Sequence, residues 1–170
     1  ITNNHIAVKQ VLNTHCHIDH VLGNYFVKER FKVPLLIPQG EEVVLKSAKA
    51  YAPSYGFHQY QEVSPDAYLT EQTPLTLEGE SIQILSVPGH SPDHVAFYIA
   101  SQKTLIGGDV LFRESIGRTD LPGGSHATLI QSIHAKFFTL PDDVLVYPGH
   151  GPETTIAYEK KFNPFCAIQR

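Results

Sequence analysis

Six consecutive residues constrain this chain more than any other stretch: His15, Cys16, His17, Ile18, Asp19 and His20 set three imidazoles and a carboxylate directly behind an apolar run. In an extended segment alternate side chains share a side, so His15, His17 and Asp19 are expected to project together while Cys16 and Ile18 face a core. A turn at a helix start then brings His20 round. Imidazole nitrogen beside a hard carboxylate oxygen is a donor set that zinc accepts. One ion needs fewer groups than this.

Three later positions repeat the chemistry. His90 in Pro88-Gly89-His90, Asp109 in Gly107-Gly108-Asp109 and His150 in Pro148-Gly149-His150 each stand at the end of an expected strand, behind a glycine that permits a tight turn. The candidate ligands are therefore His15, His17, Asp19, His20, His90, Asp109 and His150. Divided between two ions with one carboxylate shared, they leave room for a bridging water or hydroxide. Taken singly, each histidine reads first as a surface or hydrogen-bonded core residue. The cluster and the repeated strand-end placement are what favour metal. His5, His58, His126 and His134 lack that support and are expected to be solvated or structural. A structural role is expected for His94 too, with orientation of a ligand as the alternative. Cys16 lies between two ligands, yet alternation turns it towards the core, where a small apolar thiol packs well.

Around these motifs the pattern predicts strands over residues 8–13, 34–37 and 144–147, and helices over 21–31, 41–51 and 126–138, the last capped by Ser125. Ala52 and Pro53 stop the second helix. Residues 54–68 read as irregular, two hairpins are expected at 73–77 with 81–87 and at 95–99 with 104–106, and a last helix begins near Thr154. Hairpins mixed with helices give a layered α/β or α+β architecture. Neither an internal repeat nor a linker divides the chain, so one domain over 1–170 is expected.

A hydrophobic share of 42% is enough to bury a core. A net charge of −4 with no run of Lys or Arg disfavours a nucleic-acid partner. No apolar stretch approaches the roughly 20 residues that span a bilayer, and no leader pattern is visible. With only two cysteines, Cys16 and Cys166, the expected setting is reducing and cytoplasmic. The sequence begins at Ile1 and holds no Met, so an N-terminally incomplete chain is expected. Oligomeric state is left open.

The motifs together resemble the metallo-β-lactamase superfamily. Its HxHxDH hallmark is His15, His17, Asp19 and His20, and its later motifs correspond to His90 in VPGHSPDH, Asp109 in GGDVLF and His150 in YPGHGPET. The resemblance implies an αββα sandwich with metals at the sheet edge. It places His15, His17 and His90 on one ion and Asp19, His20 and His150 on the other, with Asp109 bridging them. Asp109 sets the chain apart from true β-lactamases, which carry Cys or Ser at the bridging position. GRTDLPGG at 117–124 and GHGPETTI at 149–156 resemble the short glyoxalase II-like branch. Against the family pattern, the strands before the first motif and the helical C-terminal extension that binds glutathione in longer members are expected to be missing from these residues.

What the resemblance implies is a metallohydrolase that cleaves a small thioester, hydroxyacylglutathione-like, with a hydroxide bridging two divalent ions. Zinc is the first candidate, with iron or manganese as alternatives. Asp19 and Asp109 would be its catalytic carboxylates. A thiolate leaving group with a pKa of about 8.5 departs with little protonation, which suits a site lacking an obvious general acid. Arg113 and Arg118 are the charges nearest the metal motifs in sequence and the candidates to hold a substrate carboxylate, surface pairing being the alternative. Two rivals are a persulfide dioxygenase-like mononuclear iron enzyme, which shares GRTD, and a metal-binding domain without turnover.

Overall fold

Strands β1 (Val11–Leu12), β2 (Leu35–Pro38) and β3 (Ala67–Leu69) pair in parallel, in that order, in the computed structural model, which describes residues 6–168. The expectation for His5 lies outside the described residues. The chain divides into two compact units at the junction of Leu69 and Thr70.

The first unit adds three helices to this sheet: α1 (Ile18–Val21), α2 (Asn24–Phe31) and α3 (Glu42–Tyr51). Leu45, Ala48 and Ala52 recur at helical spacing and are buried with Leu35, Ile37, Cys16, Ile18 and Val21 in one apolar cluster. Each large aliphatic side chain so buried contributes about 1.5–3 kcal/mol. As expected, α3 stops before Ala52 and Pro53, which begin a 3-10 turn over Ala52–Tyr55 closed by Gly56 at φ 86°. The helix expected over 21–31 forms as α2, starting at Asn24, and a separate short helix, α1, precedes it. Asn24 explains the break, because its Nδ2 donates to Asn13 Oδ1 at 2.8 Å while Asn13 Nδ2 donates to the His20 carbonyl at 3.1 Å. These bonds tie the start of α2 and the end of α1 to the strand region, and Gly23 between them is a poor residue for continuing a helix.

The second unit is built on a six-stranded sheet, ordered β11-β10-β7-β6-β5-β4. Its strands are β4 (Leu75–Leu77), β5 (Glu80–Ser86), β6 (Val95–Ile99), β7 (Thr104–Gly108), β10 (Leu145–Pro148) and β11 (Thr154–Thr155). Both expected hairpins form, β4 with β5 and β6 with β7. The first turns through Glu78 and Gly79, both at positive φ, the geometry that matches the twist of paired strands. The sheet is mixed, since β10 joins β7 in parallel. Ser125 caps α4 (His126–Ser132) by accepting from the Thr128 N–H at 3.3 Å. The helix then widens into a π turn over Ile133–Phe137 that buries Ile133 and Phe137. Thr155 caps α5 (Ile156–Phe162) in the same way. A small hairpin of β8 (Leu111–Phe112) and β9 (Ser115–Ile116) was not foreseen, being two residues per strand. Among the described residues no helix is long and apolar enough to cross a membrane.

Candidate metal centre

In the first unit the strand-to-helix passage carries four of the expected ligands. His15 is fully buried, with Nδ1 3.1 Å from Thr14 Oγ1, and its ring centroid lies 4.8 Å from that of His17 and 4.1 Å from that of His20. Asp19 Oδ2 stands 3.5 Å from His20 Nε2. The expected alternation holds as far as Ile18, since Cys16 and Ile18 are both buried in the core. The extended backbone itself stops at His17, with ψ 155°, so Asp19 and His20 are presented by a helical turn and not by a strand. Burial pushes the Cys16 thiol well up, with the charge of Glu41 adding to the effect, so it stays a neutral core thiol.

In the second unit Asp109 follows β7 directly and is buried. Its Oδ2 lies 3.6 Å from His90 Nε2 and 3.4 Å from His150 Nε2. His90 Nδ1–H donates to the Arg118 carbonyl at 2.8 Å, which leaves the lone pair on the nitrogen that faces Asp109. The Asp109 backbone N–H donates to Nε2 of the buried His94 at 3.0 Å, the orienting alternative raised for that residue. His150 is exposed, its ring edge-on to Phe112. Two glycines make this packing feasible. A Cβ on Gly89, at φ +133°, would lie 2.3 Å from the Leu129 nitrogen, and one on Gly117 would lie 2.0 Å from the Asp109 carbonyl oxygen.

The donor chemistry of each group fits a divalent cation. Two ligand atoms about 2.1 Å from one ion in a tetrahedral shell stand about 3.4 Å apart. The Asp109 separations of 3.6 and 3.4 Å and the Asp19–His20 separation of 3.5 Å match that spacing. All donors are imidazole nitrogens or carboxylate oxygens, the set suited to zinc, iron or manganese.

Both arginines singled out in the sequence are exposed. The Arg113 guanidinium sits 5.1 Å over the Tyr158 ring. Arg118 holds Asp120 through two bonds of 2.7 Å, which keeps that carboxyl down at about 2. His58 and His126 are exposed, and His134 Nε2–H donates to the Cys166 carbonyl at 2.8 Å.

Two buried carboxylates escaped the sequence reading. Glu41, fully buried, accepts the Cys16 N–H through Oε2 at 2.9 Å and so fixes the backbone between His15 and His17. Glu159, also fully buried, accepts the Glu114 N–H at 3.1 Å and Asn163 Nδ2 at 2.7 Å, and takes the Thr154 hydroxyl on its other oxygen. One carboxylate thereby joins the hairpin that follows Asp109 and the segment that follows His150 to α5. A signal existed for Glu159, because Ile156, Glu159 and Asn163 share one helix face with an apolar first member. Glu41 gave none, since an acid at a helix start is ordinary.

A profile of the metallo-β-lactamase superfamily matches residues 6–150. Hydroxyacylglutathione hydrolase GloC of Haemophilus influenzae is 38% identical over 162 residues, 94% of this chain and 76% of that protein. The crystal structure of the BLEG-1 B3 metallo-β-lactamase superposes with a TM-score of 0.88 at 36% identity, covering 97% of this chain and 80% of its own. That of TTHA1623 in a di-iron-bound form gives 0.88 at 35% identity, covering 96% and 80%. This chain has the α/β metallo-β-lactamase-type fold and belongs to the metallo-β-lactamase superfamily.

Proposed function

We propose that the protein is a binuclear metallohydrolase that cleaves small thioesters of the hydroxyacylglutathione kind. The observation that carries the reading is Asp109, with one oxygen 3.6 Å from His90 Nε2 and 3.4 Å from His150 Nε2, the placement a carboxylate shared between two ions needs. In this reading 1–170 acts as a single catalytic domain. His15, His17 and His90 would hold one divalent ion and Asp19, His20 and His150 the other, zinc being the first candidate and iron or manganese the alternatives. When bound, such a pair lowers the pKa of a shared water towards roughly 7 and polarises the substrate carbonyl.

The chain's own groups do the rest. Asp109 and Asp19 place carboxylate charge among the imidazoles. The His90 Nδ1–H bond to the Arg118 carbonyl fixes the tautomer that a ligand requires. Arg118 and Arg113 are proposed to receive a substrate carboxylate, Arg118 by exchanging Asp120 for it. The similarity to GloC supports thioesters as the substrate class, and the similarity to a di-iron-bound structure supports two ions. A second reading, β-lactam cleavage, has the BLEG-1 resemblance in its favour.

The test is a turnover panel on metal-loaded protein: S-lactoylglutathione, the same acyl group on other thiols, a chromogenic β-lactam, and oxygen uptake with a persulfide. Release of free thiol from the thioesters, without oxygen uptake, is the expected result. Cleavage of the β-lactam alone, or oxygen consumption alone, overturns it.

A further inference from the structure

Beside the ligand-bearing helix the first unit contains a cavity of about 540 Å³, within the range that small-molecule sites occupy. Leu22, Tyr25, Phe26, Phe57 and Tyr60 supply most of its apolar wall, and among the described residues that line it His58 is the one basic side chain, with no Asp, Glu, Lys or Arg. Tyr25, Phe26 and Phe57 present large aromatic surface to solvent at 40%, 66% and 36% exposure, an uncommon concentration on one small unit. Its position is tied to the metal motif. Leu22 is the residue at which α1, carrying Asp19 and His20, ends, and Leu22 and Tyr60 pack on the same cluster that buries Cys16, Ile18 and Val21. Burial pushes the Tyr60 phenol up to about 12, so it remains a neutral hydrogen-bonding group in the wall.

We propose that this cavity is a binding subsite for an uncharged aromatic group, which in a thioester substrate is the acyl group. Four aromatic side chains offer offset or edge-on stacking to an aryl ring, worth about 0.5–1.5 kcal/mol for each well-formed pair beyond burial of area. A carboxylate-bearing arm finds no Lys or Arg among the described residues there, and only His58. An imidazole, with an ordinary pKa of about 6.5, is mostly neutral near about pH 7.5, so most of the arm's desolvation goes uncompensated. Gln59, Gln61 and the tyrosine hydroxyls give polar partners for an amide or carbonyl next to the ring. A lactoyl group would fill only a small part of the space. The acyl assignment rests on the hydrolase reading above; the assignment of an aryl subsite does not.

Two measurements separate these. The first follows binding of a non-hydrolysable S-(2-phenylethyl) thioether of N-acetylcysteamine by two-dimensional NMR, on wild type and Phe57→Ala. Shifts confined to residues 22–26 and 56–61, weakened in Phe57→Ala, are expected; shifts elsewhere, or none, overturn the subsite. The second compares phenylacetyl and acetyl thioesters of the same thiol on metal-loaded protein. In Phe57→Ala the aryl-to-acetyl ratio of kcat/KM should fall about tenfold, with the acetyl value within about twofold of wild type, while Phe57→Tyr should restore the ratio. An equal loss for both substrates overturns the acyl assignment. Thioether binding at the cavity with no thioester cleaved overturns the hydrolase reading and leaves the aryl subsite standing.

Discussion

The backbone N–H of Asp109 donates to His94 Nε2 at 3.0 Å, and both residues are buried. His94 is therefore a positioning residue, acting on the carboxylate through its own main chain. Replacing it with His94→Phe keeps a ring and removes the acceptor, leaving a buried N–H unsatisfied at a cost of about 1–3 kcal/mol. Urea denaturation should show that loss, and elemental analysis should show reduced metal content after dialysis. Unchanged stability with full metal content would contradict the assigned role.

Glu159 joins three chain segments through one buried carboxylate. Glu159→Gln puts an amide donor among donors from Glu114, Asn163 and Thr154, so a loss of about 1–3 kcal/mol is expected, and Glu159→Ala should cost more because it also opens a void. Thermal unfolding ranks the two. Metal retention at His150 should weaken in both, since Thr154 follows it along the chain.

Gly89 and Gly151 both adopt positive φ, +133° and +78°, but only Gly89 faces a close backbone, with Leu129 2.3 Å from where a Cβ would sit. Gly151 has open space there. Gly89→Ala should therefore lower stability by more than about 3 kcal/mol, against about 1–2 kcal/mol for Gly151→Ala, where only the backbone conformation is strained. Equal effects in a denaturant titration would show that the loop before His90 relaxes freely.

Asp109 and Cys16 both lie within the ligand motifs, yet one is assigned as a shared ligand and the other as core. Asp109→Ala should reduce turnover by more than about a hundredfold, whereas Cys16→Ser should cost stability of about 1–3 kcal/mol and leave turnover within about tenfold when fully metal-loaded. Parallel assays at matched metal content decide it.

Much of this arrangement was legible because local rules and tertiary structure agree. Ser125 caps its helix, Pro53 stops another, and Glu78–Gly79 turns its hairpin as turn chemistry dictates. The ligand types at 15–20, 90, 109 and 150 stood out for the same reason, being polar residues grouped behind strands and glycines. What stayed hidden depends on partners distant in sequence. The break at Gly23 follows from the Asn13–Asn24 bonds, and the parallel pairing of β10 with β7 joins segments about forty residues apart. Glu41 gave no sign of its burial, and the helix face that holds Glu159 does not reveal which distant backbone donors it accepts. Extended alternation gave the right sides for Cys16 and Ile18 but not the helical setting of Asp19, which is fixed by the bond from the His20 N–H to the His17 carbonyl at 3.0 Å.

The central claim is that Asp109 is shared by two ions that together serve thioester hydrolysis, and metal stoichiometry read against turnover tests it most directly. Protein stripped by chelator and titrated with zinc, iron or manganese should reach two ions per chain, with thioester cleavage rising as the second ion binds. Saturation at one ion per chain, with full activity at that point, would contradict it.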